Sequence, residues 1–598
     1  MSTHPNATRP ARSAPLQLVL LALALIALAP LSACAAPRAP RLEGLGAHSL
    51  AVSTRSAAAQ RFFDQGLRLA YAFNHAEARR AFQEAQRLDA SCAMAHWGEA
   101  LALGPNINAP MSPEAEADAR SALARARARD SSASALERGL IAALELRFAE
   151  GSERADADAS YLEAMVQLAA RHPEHADVGT LRVAAFMETR PWDYWDQDGT
   201  PRPGTLEALA AIERTLAQHP QHAGAIHYYI HLVEAARPEL AVAAADRLGP
   251  LMPGAGHMVH MPSHIYMRVG RYADASRANI EAIAADEDYL AQCSAQGLYP
   301  AMYYPHNIHF LWSAATMEGR SELALASALK VRDTVRGGGC CAASELSGQD
   351  WLSTLLFAQV RFGRWQDVLA TPEPAADQLY ARALWHYARG LALAAQHGAR
   401  TDAPASASMK ATATSAERAV ALADEAIAAT ASSSPEAADA APLARAEHEL
   451  ERLRELAQHA SLAEATINFS PARSVLGIAE SSLSAEIDAR RGEVDSAVAA
   501  LRRAVELEDG LRYMEPPTWH LPVRQHLGAI LLEAGRAAEA EAAYLEDLAD
   551  WRENGWSLFG LWQSLAAQGK AEAAAEAARR FRIAWVAADF PITGSVVR

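Results

Sequence analysis

Cysteine is scarce in this chain: five residues in 598, at Cys34, Cys92, Cys293, Cys340 and Cys341. No two stand at the C-x₂-C spacing of a zinc pair, so a cysteine metal framework is excluded and any metal would fall to other side chains. Aromatic residues make up only 7%, and no stretch alternates Val, Ile and Thr as a strand requires, which leaves an all-α class. Cationic residues are outnumbered, 55 Lys and Arg against 71 Asp and Glu, for a net charge of −16. With no basic stripe to neutralise phosphates, nucleic acid is excluded as a partner. The chain also lacks G-x-S-x-G, a P-loop, G-x-G-x-x-G and H-E-x-x-H. Gly337-Gly338-Gly339-Cys340-Cys341 has no Lys-Ser/Thr after it and reads as a flexible loop with vicinal thiols.

The most apolar run, Leu16 to Pro30, is short for a membrane span. It follows Arg9 and Arg12 and ends in Leu31-Ser32-Ala33-Cys34, which resembles the lipobox of bacterial lipoproteins. The resemblance implies a signal peptide over 1–33, acylation of Cys34 and anchoring in a membrane of the bacterial envelope. Ala35, rather than Asp, after the cysteine implies the outer membrane, facing the periplasm. Residues 34–55 hold Pro37, Pro40, Gly44 and Gly46 without period and read as a tether.

What the chain does have is alanine, helical periodicity and repeats. It is too long for one compact core, and 51% of it is hydrophobic. From about residue 59, Gly66, Ala78, Phe82, Ala85 and Ala90 recur at intervals that suit pairs of helices, small residues allowing close approach and Phe82 filling the seam. Trp97 and Gly98 open the next pair. Mid-pair turns recur at Gly270-Arg271, Gly319-Arg320, Gly363-Arg364, Arg491-Gly492, Gly535 and Gly569. The pattern resembles the tetratricopeptide repeat superfamily, which implies a right-handed superhelix of helix pairs with a concave groove for a protein or peptide. Residues 56–396 read as an N-terminal array, 397–442 as low-complexity insertions or a hinge, and 443–598 as a C-terminal array. Further stretches resemble a group of bacterial tetratricopeptide proteins: Tyr71 to His75, Cys92 to Gly98, Gly104 to Asn108, Arg190 to Trp195, His260 to Tyr266 and Asn554 to Gly560. That likeness carries no activity with it.

Histidine is concentrated. The window 222–309 holds 8 of the 21. His227 and His231 are spaced i, i+4; His257, His260 and His264 i, i+3, i+7; His306 and His309 i, i+3. Each set falls on one face of a helix. Counting back from Gly270 and Gly319, the second and third sets occupy groove-facing positions, and Glu234 shares the face of His231. Pro262 opens two alternatives. Either one helix carries all three of His257, His260 and His264, or a helix begins at Pro262 and leaves His257 and His260 in a loop.

Two functions are compatible with this pattern. The first is an envelope-facing, lipid-anchored interaction protein that takes a protein, peptide or small ligand in a His/Tyr-rich groove, with Tyr228, Tyr266, Tyr304 and Asn307 as binding residues. The second is a metal-dependent enzyme, a hydrolase or oxidase. It would use His227, His231, Glu234, His257, His260, His264, His306 and His309 to hold a divalent transition metal such as Zn, Fe or Cu. A lesser candidate is the C-terminal set Glu515, Trp519, His520, Arg524 and His526.

Overall fold

A computed structural model describes residues 39–292, 298–337, 345–397 and 435–598, with side chains from Ala441 in the last segment. Cys34, the signal segment, Cys293, Cys340, Cys341 and most of the 397–442 insertion lie outside the described residues. Residues from Ala39 onward form one compact unit.

The unit is the expected all-α array of helix pairs. Each helix packs chiefly on its sequence neighbours. A two-residue ladder, Thr466–Ile467 with Ser470–Pro471, is its one named sheet among the described residues. The first pair is α1 (Ala57–Tyr71) and α2 (His75–Leu88). Their contact shows why the repeat needs small residues. The fully buried Phe82 lies between Gly66 and Gly98, where an added Cβ would stand 2.8 and 2.4 Å from its ring. Burying such a ring contributes about 2–3 kcal/mol, and two glycines on either side make the space.

Two large apolar cores occupy the unit. One is built from residues up to Met317 and the other from Trp312 onward. The second half turns back on the first. Arg552 O lies 2.5 Å from a Cβ position at the turn residue Gly270, the Trp585 ring 2.3 Å from that at Gly319, and Val597 2.5 Å from that at Gly363. Trp556 donates its indole N–H to Thr316 O at 2.9 Å, and the buried Arg361 guanidinium donates to Gln525 at 2.7 Å. Three of the mid-pair turns legible in the sequence, at Gly270, Gly319 and Gly363, therefore also seat residues from the C-terminal part of the chain.

Residues 39–55, expected to be part of a tether, are packed against the fold. Leu45 and Leu50 are buried, Gly254 N–H donates to Gly44 O at 2.8 Å, and Gln65 holds Leu42 N–H and Pro40 O at 3.0 and 2.9 Å. The apolar residues in the stretch are too sparse to show a period, yet each finds a slot.

Candidate metal centre

Three successive first helices of pairs carry the histidines. They are α3 (Ala223–Val233), the two short segments α4 (Gly256–His260) and α5 (Pro262–Val269), and α6 (Tyr304–Met317). Met261, between α4 and α5, keeps right-handed helical angles of −51° and −37°. The path is thus continuous through Pro262, which takes the first position of α5. There its missing N–H matters least, and His264 N–H bonds back to Met261 O at 3.2 Å in a tighter turn. His257 and His260 accordingly lie on a helix, not in a loop, and on the face of His264. Gly256 opens α4 because a Cβ there would strike the Asp286 carboxylate at 2.0 Å.

Six of the seven predicted histidine ligands converge as two adjacent triads. His227, His231 and His257 each place a ring nitrogen within 4.8 Å of the other two, and so do His260, His264 and His306. The His227 and His257 Nε2 atoms are 3.1 Å apart, and the His260 and His264 Nε2 atoms 3.0 Å. Three nitrogens at about 2.0–2.1 Å from one ion lie about 3.3–3.6 Å from one another, so small ring movements would seat an ion in each triad. The triads share a wall: His257 stacks beside His260 and His231 meets His264, both pairs at 5.8 Å between centroids. His227 and His260 are fully buried, and only His306 has partial exposure.

The second nitrogens set the tautomers. His227 Nδ1–H donates to Tyr71 O at 2.6 Å and His231 Nδ1–H to Glu234 at 2.9 Å. His260 Nδ1–H donates to Asn279 Oδ1 at 2.7 Å, the amide being oriented by its own Nδ2–H bond to Ala275 O at 2.8 Å. His264 Nδ1 faces Glu234 at 2.6 Å and Glu515 at 3.2 Å, ion pairs in which the oxygens lie off the N–H direction. In His227, His231 and His260 Nδ1 is committed and Nε2 is left as a lone pair aimed inward, the orientation that metal-ligating histidines adopt. His231 Nε2 and His257 Nδ1 are buried without a partner, an arrangement that costs free energy unless something polar or cationic meets them.

Burial lowers the pKa of His227, His257, His260 and His306 well below the usual imidazole range, and neighbouring imidazoles lower most of them further. Burial also disfavours charge on His264, but Glu234 and Glu515 override it and raise this ring to about 10. Burial would raise Glu234, yet His264 and His231 hold it down to about 2. With a proton on both nitrogens, His264 can donate to His260; a cation between the two rings would replace that proton.

The other predicted site residues lie elsewhere or play supporting roles. His309 is not a member of either triad. Although only about 60° around α6 from His306, it stacks on Trp312 at 5.0 Å, where burial lowers it to about 3. Glu234 braces His231 and His264 and also belongs to a separate carboxylate-rich group with Glu515. The four predicted ligand-binding residues do not gather. Tyr266 donates to Asp246 at 2.8 Å and Tyr304 to Glu287 at 2.9 Å. Tyr228 is buried against the Arg147, Tyr161 and Glu188 charges, and burial raises its pKa well above the usual range. Asn307 donates to Asp286 at 2.7 Å; Asp286 also accepts from Tyr299, whose oxygen takes His257 N–H at 2.9 Å. The histidines are buried rather than set in an open groove, and the 511–521 loop brings Glu515 to 3.2 Å from His264. A cavity of about 400 Å³ lies behind that loop, lined by Glu515, Arg268, Tyr513 and Trp519.

Several residues of the site were quoted in the sequence without a role. Phe73 lies against His227, His231 and His257. Trp192 meets His231 edge-on at 5.1 Å. Asn108 donates to Tyr303 at 3.2 Å, and the Tyr303 ring lies 4.6 Å from His257. These come from the stretches at 71–75, 104–108 and 190–195, which meet here. Asn279 and Phe310 had no signal.

A third group, His48, Asp177 and His222, is different in kind. Asp177 Oδ1 accepts from His48 Nε2 at 2.8 Å, Tyr71 OH at 2.8 Å and His222 Nε2 at 3.3 Å. His222 Nδ1 accepts Ala225 N–H at 3.0 Å as the cap of α3. Its proton must therefore be on Nε2, and it has no lone pair to give a metal.

No protein-family model matches the chain, and no curated protein matches it. Among solved structures it is similar to a chain of "Structure of Naa15/Naa10 bound to HypK-THB", at 13% identity over 88% of this chain and 70% of that one, with a TM-score of 0.21. A superposition this loose bears on neither mechanism nor partner.

Proposed function

We propose that the protein is a metalloprotein whose solenoid encloses a two-ion transition-metal centre, one ion held by His227, His231 and His257 and the other by His260, His264 and His306. The observation that carries this reading is one short Nε2···Nε2 contact in each triad, 3.1 and 3.0 Å, with Nδ1 of His227, His231 and His260 already given to fixed acceptors. Each ion would be held by three imidazole nitrogens, with no carboxylate or thiolate in either triad. Glu234 and Glu515 hold His231 and His264 in place and offset charge. A buried metal centre is thereby favoured over display of histidines in an open groove. Anchoring through Cys34 in the bacterial envelope remains part of the proposal, on the strength of the lipobox likeness.

Elemental analysis of the purified chain tests this. Two transition-metal ions per chain are expected, falling in His231→Ala and His264→Ala with the helical circular dichroism unchanged. Wild-type protein that binds no ion even after reconstitution would remove the reading. A second reading, an interaction protein that takes a small polar ligand, is favoured by the 400 Å³ cavity, where Tyr513 OH and Arg268 Nε have no partner. It predicts ligand binding that survives chelation.

A further inference from the structure

Each triad has its own phenylalanine lying against all three rings. Phe73 is 4.4, 5.9 and 5.5 Å from His227, His231 and His257. Phe310 is 4.8, 4.8 and 5.6 Å from His260, His264 and His306. Trp192 closes a further side at His231. An apolar ring against all three imidazoles offers coordinated water no hydrogen-bond partner on that side. A divalent ion held by three imidazoles ordinarily completes its shell with water or hydroxide. Monovalent copper, a d¹⁰ ion of low charge, is stable with three nitrogens alone.

Charge points the same way. Neither triad contains a carboxylate or thiolate, and the acids in ion-pair contact with the ligands are Glu234 and Glu515. Two divalent ions would leave a surplus of two positive charges in a buried site, a cost of several kcal/mol per uncompensated ion. Two monovalent ions bring half that charge to the same two carboxylates. Imidazole is among the ligands that suit copper.

Resting on the two-ion reading above, we infer that the resident metal is a pair of copper(I) ions, one in each Phe-capped imidazole triad, with Glu234 and Glu515 as their counter-charges. The ions enter as Cu(I) and no electron is transferred on binding. Proton release accompanies entry where an ion replaces the His264 proton.

The test is anaerobic titration of the full chain, purified in detergent and freed of metal. Cu(I) is supplied against a chromogenic Cu(I) chelator, and Zn(II), in a parallel series, against a zinc chelator. The expected result is two Cu(I) per chain held at competitor concentrations that strip Zn(II), with an X-ray absorption edge of three-coordinate nitrogen ligation. Glu515→Gln is expected to weaken Cu(I) binding tenfold or more without changing helical content. Two Zn(II) bound more tightly than Cu(I), or a four-coordinate shell containing oxygen, would overturn the copper(I) assignment and leave the two-ion site standing. Failure of both ions to bind would overturn both.

Discussion

Two histidine groups lie on either side of Tyr71, and they are built in opposite senses. In the outer one, Asp177 takes hydrogen bonds from His48, His222 and Tyr71, and His222 caps a helix with its other nitrogen. In the inner one, the Tyr71 carbonyl takes the His227 Nδ1 proton and leaves Nε2 facing another imidazole. Both groups hold buried histidine near a carboxylate. What separates a structural cluster from a candidate metal centre is where the second nitrogen of each ring goes. If it caps a backbone N–H, the ring is consumed; if it donates to a fixed acceptor, the first nitrogen is free to ligate. The carboxylates repeat the contrast. Glu234, facing two imidazoles, is held down to about 2. Asp350, as buried but met only by Tyr380 and Asn468, is pushed up by burial to about 6.

The largest expected effect breaks the comparison at its centre. His227→Ala and His260→Ala should each remove one ion per chain, and the pair together both, whereas His222→Ala should leave the metal content at two; elemental analysis of the four proteins decides. Next is pH. The folded pKa of Asp350 lies above its unfolded value, so the folded state holds the extra proton between about pH 4 and 6. Its contribution is fully present below pH 4 and is lost as pH rises through 6, by about 3 kcal/mol. Asp350→Asn should flatten that part of a urea-denaturation pH series; an unchanged slope would place the carboxyl in a more polar setting. Glu515→Gln should then weaken metal binding about 10–100-fold while leaving stoichiometry at saturation, the usual consequence of losing a partner behind the ligands. The smallest change belongs to the outer group. His222→Ala should cost about 1 kcal/mol through the lost helix cap, read as a small fall in melting temperature at constant metal content.

Helix pairing was legible because its cause is local. Phe82 between Gly66 and Gly98, and glycines at the turns, write the repeat into the chain at fixed intervals. The His257, His260 and His264 face was legible for the same reason, since 3.6 residues per turn fixes which positions align. Their depth was not, because burial comes from a loop far along the chain that places Glu515 on His264. His309 misled because spacing places a residue on a face but not toward a neighbour, and its neighbour is Trp312. Tyr266 and Tyr304 look available as sequence and are spent on Asp246 and Glu287, partners from other helices. The His48 to Arg55 stretch carries no period, so nothing local predicted that it would dock.

The account stands most directly on X-ray absorption of the reconstituted full chain. It predicts a first shell of three imidazole nitrogens at about 2.0–2.1 Å, with a second metal as a nearby scatterer and two ions per chain. A single ion, or a shell dominated by oxygen or sulfur, would contradict it.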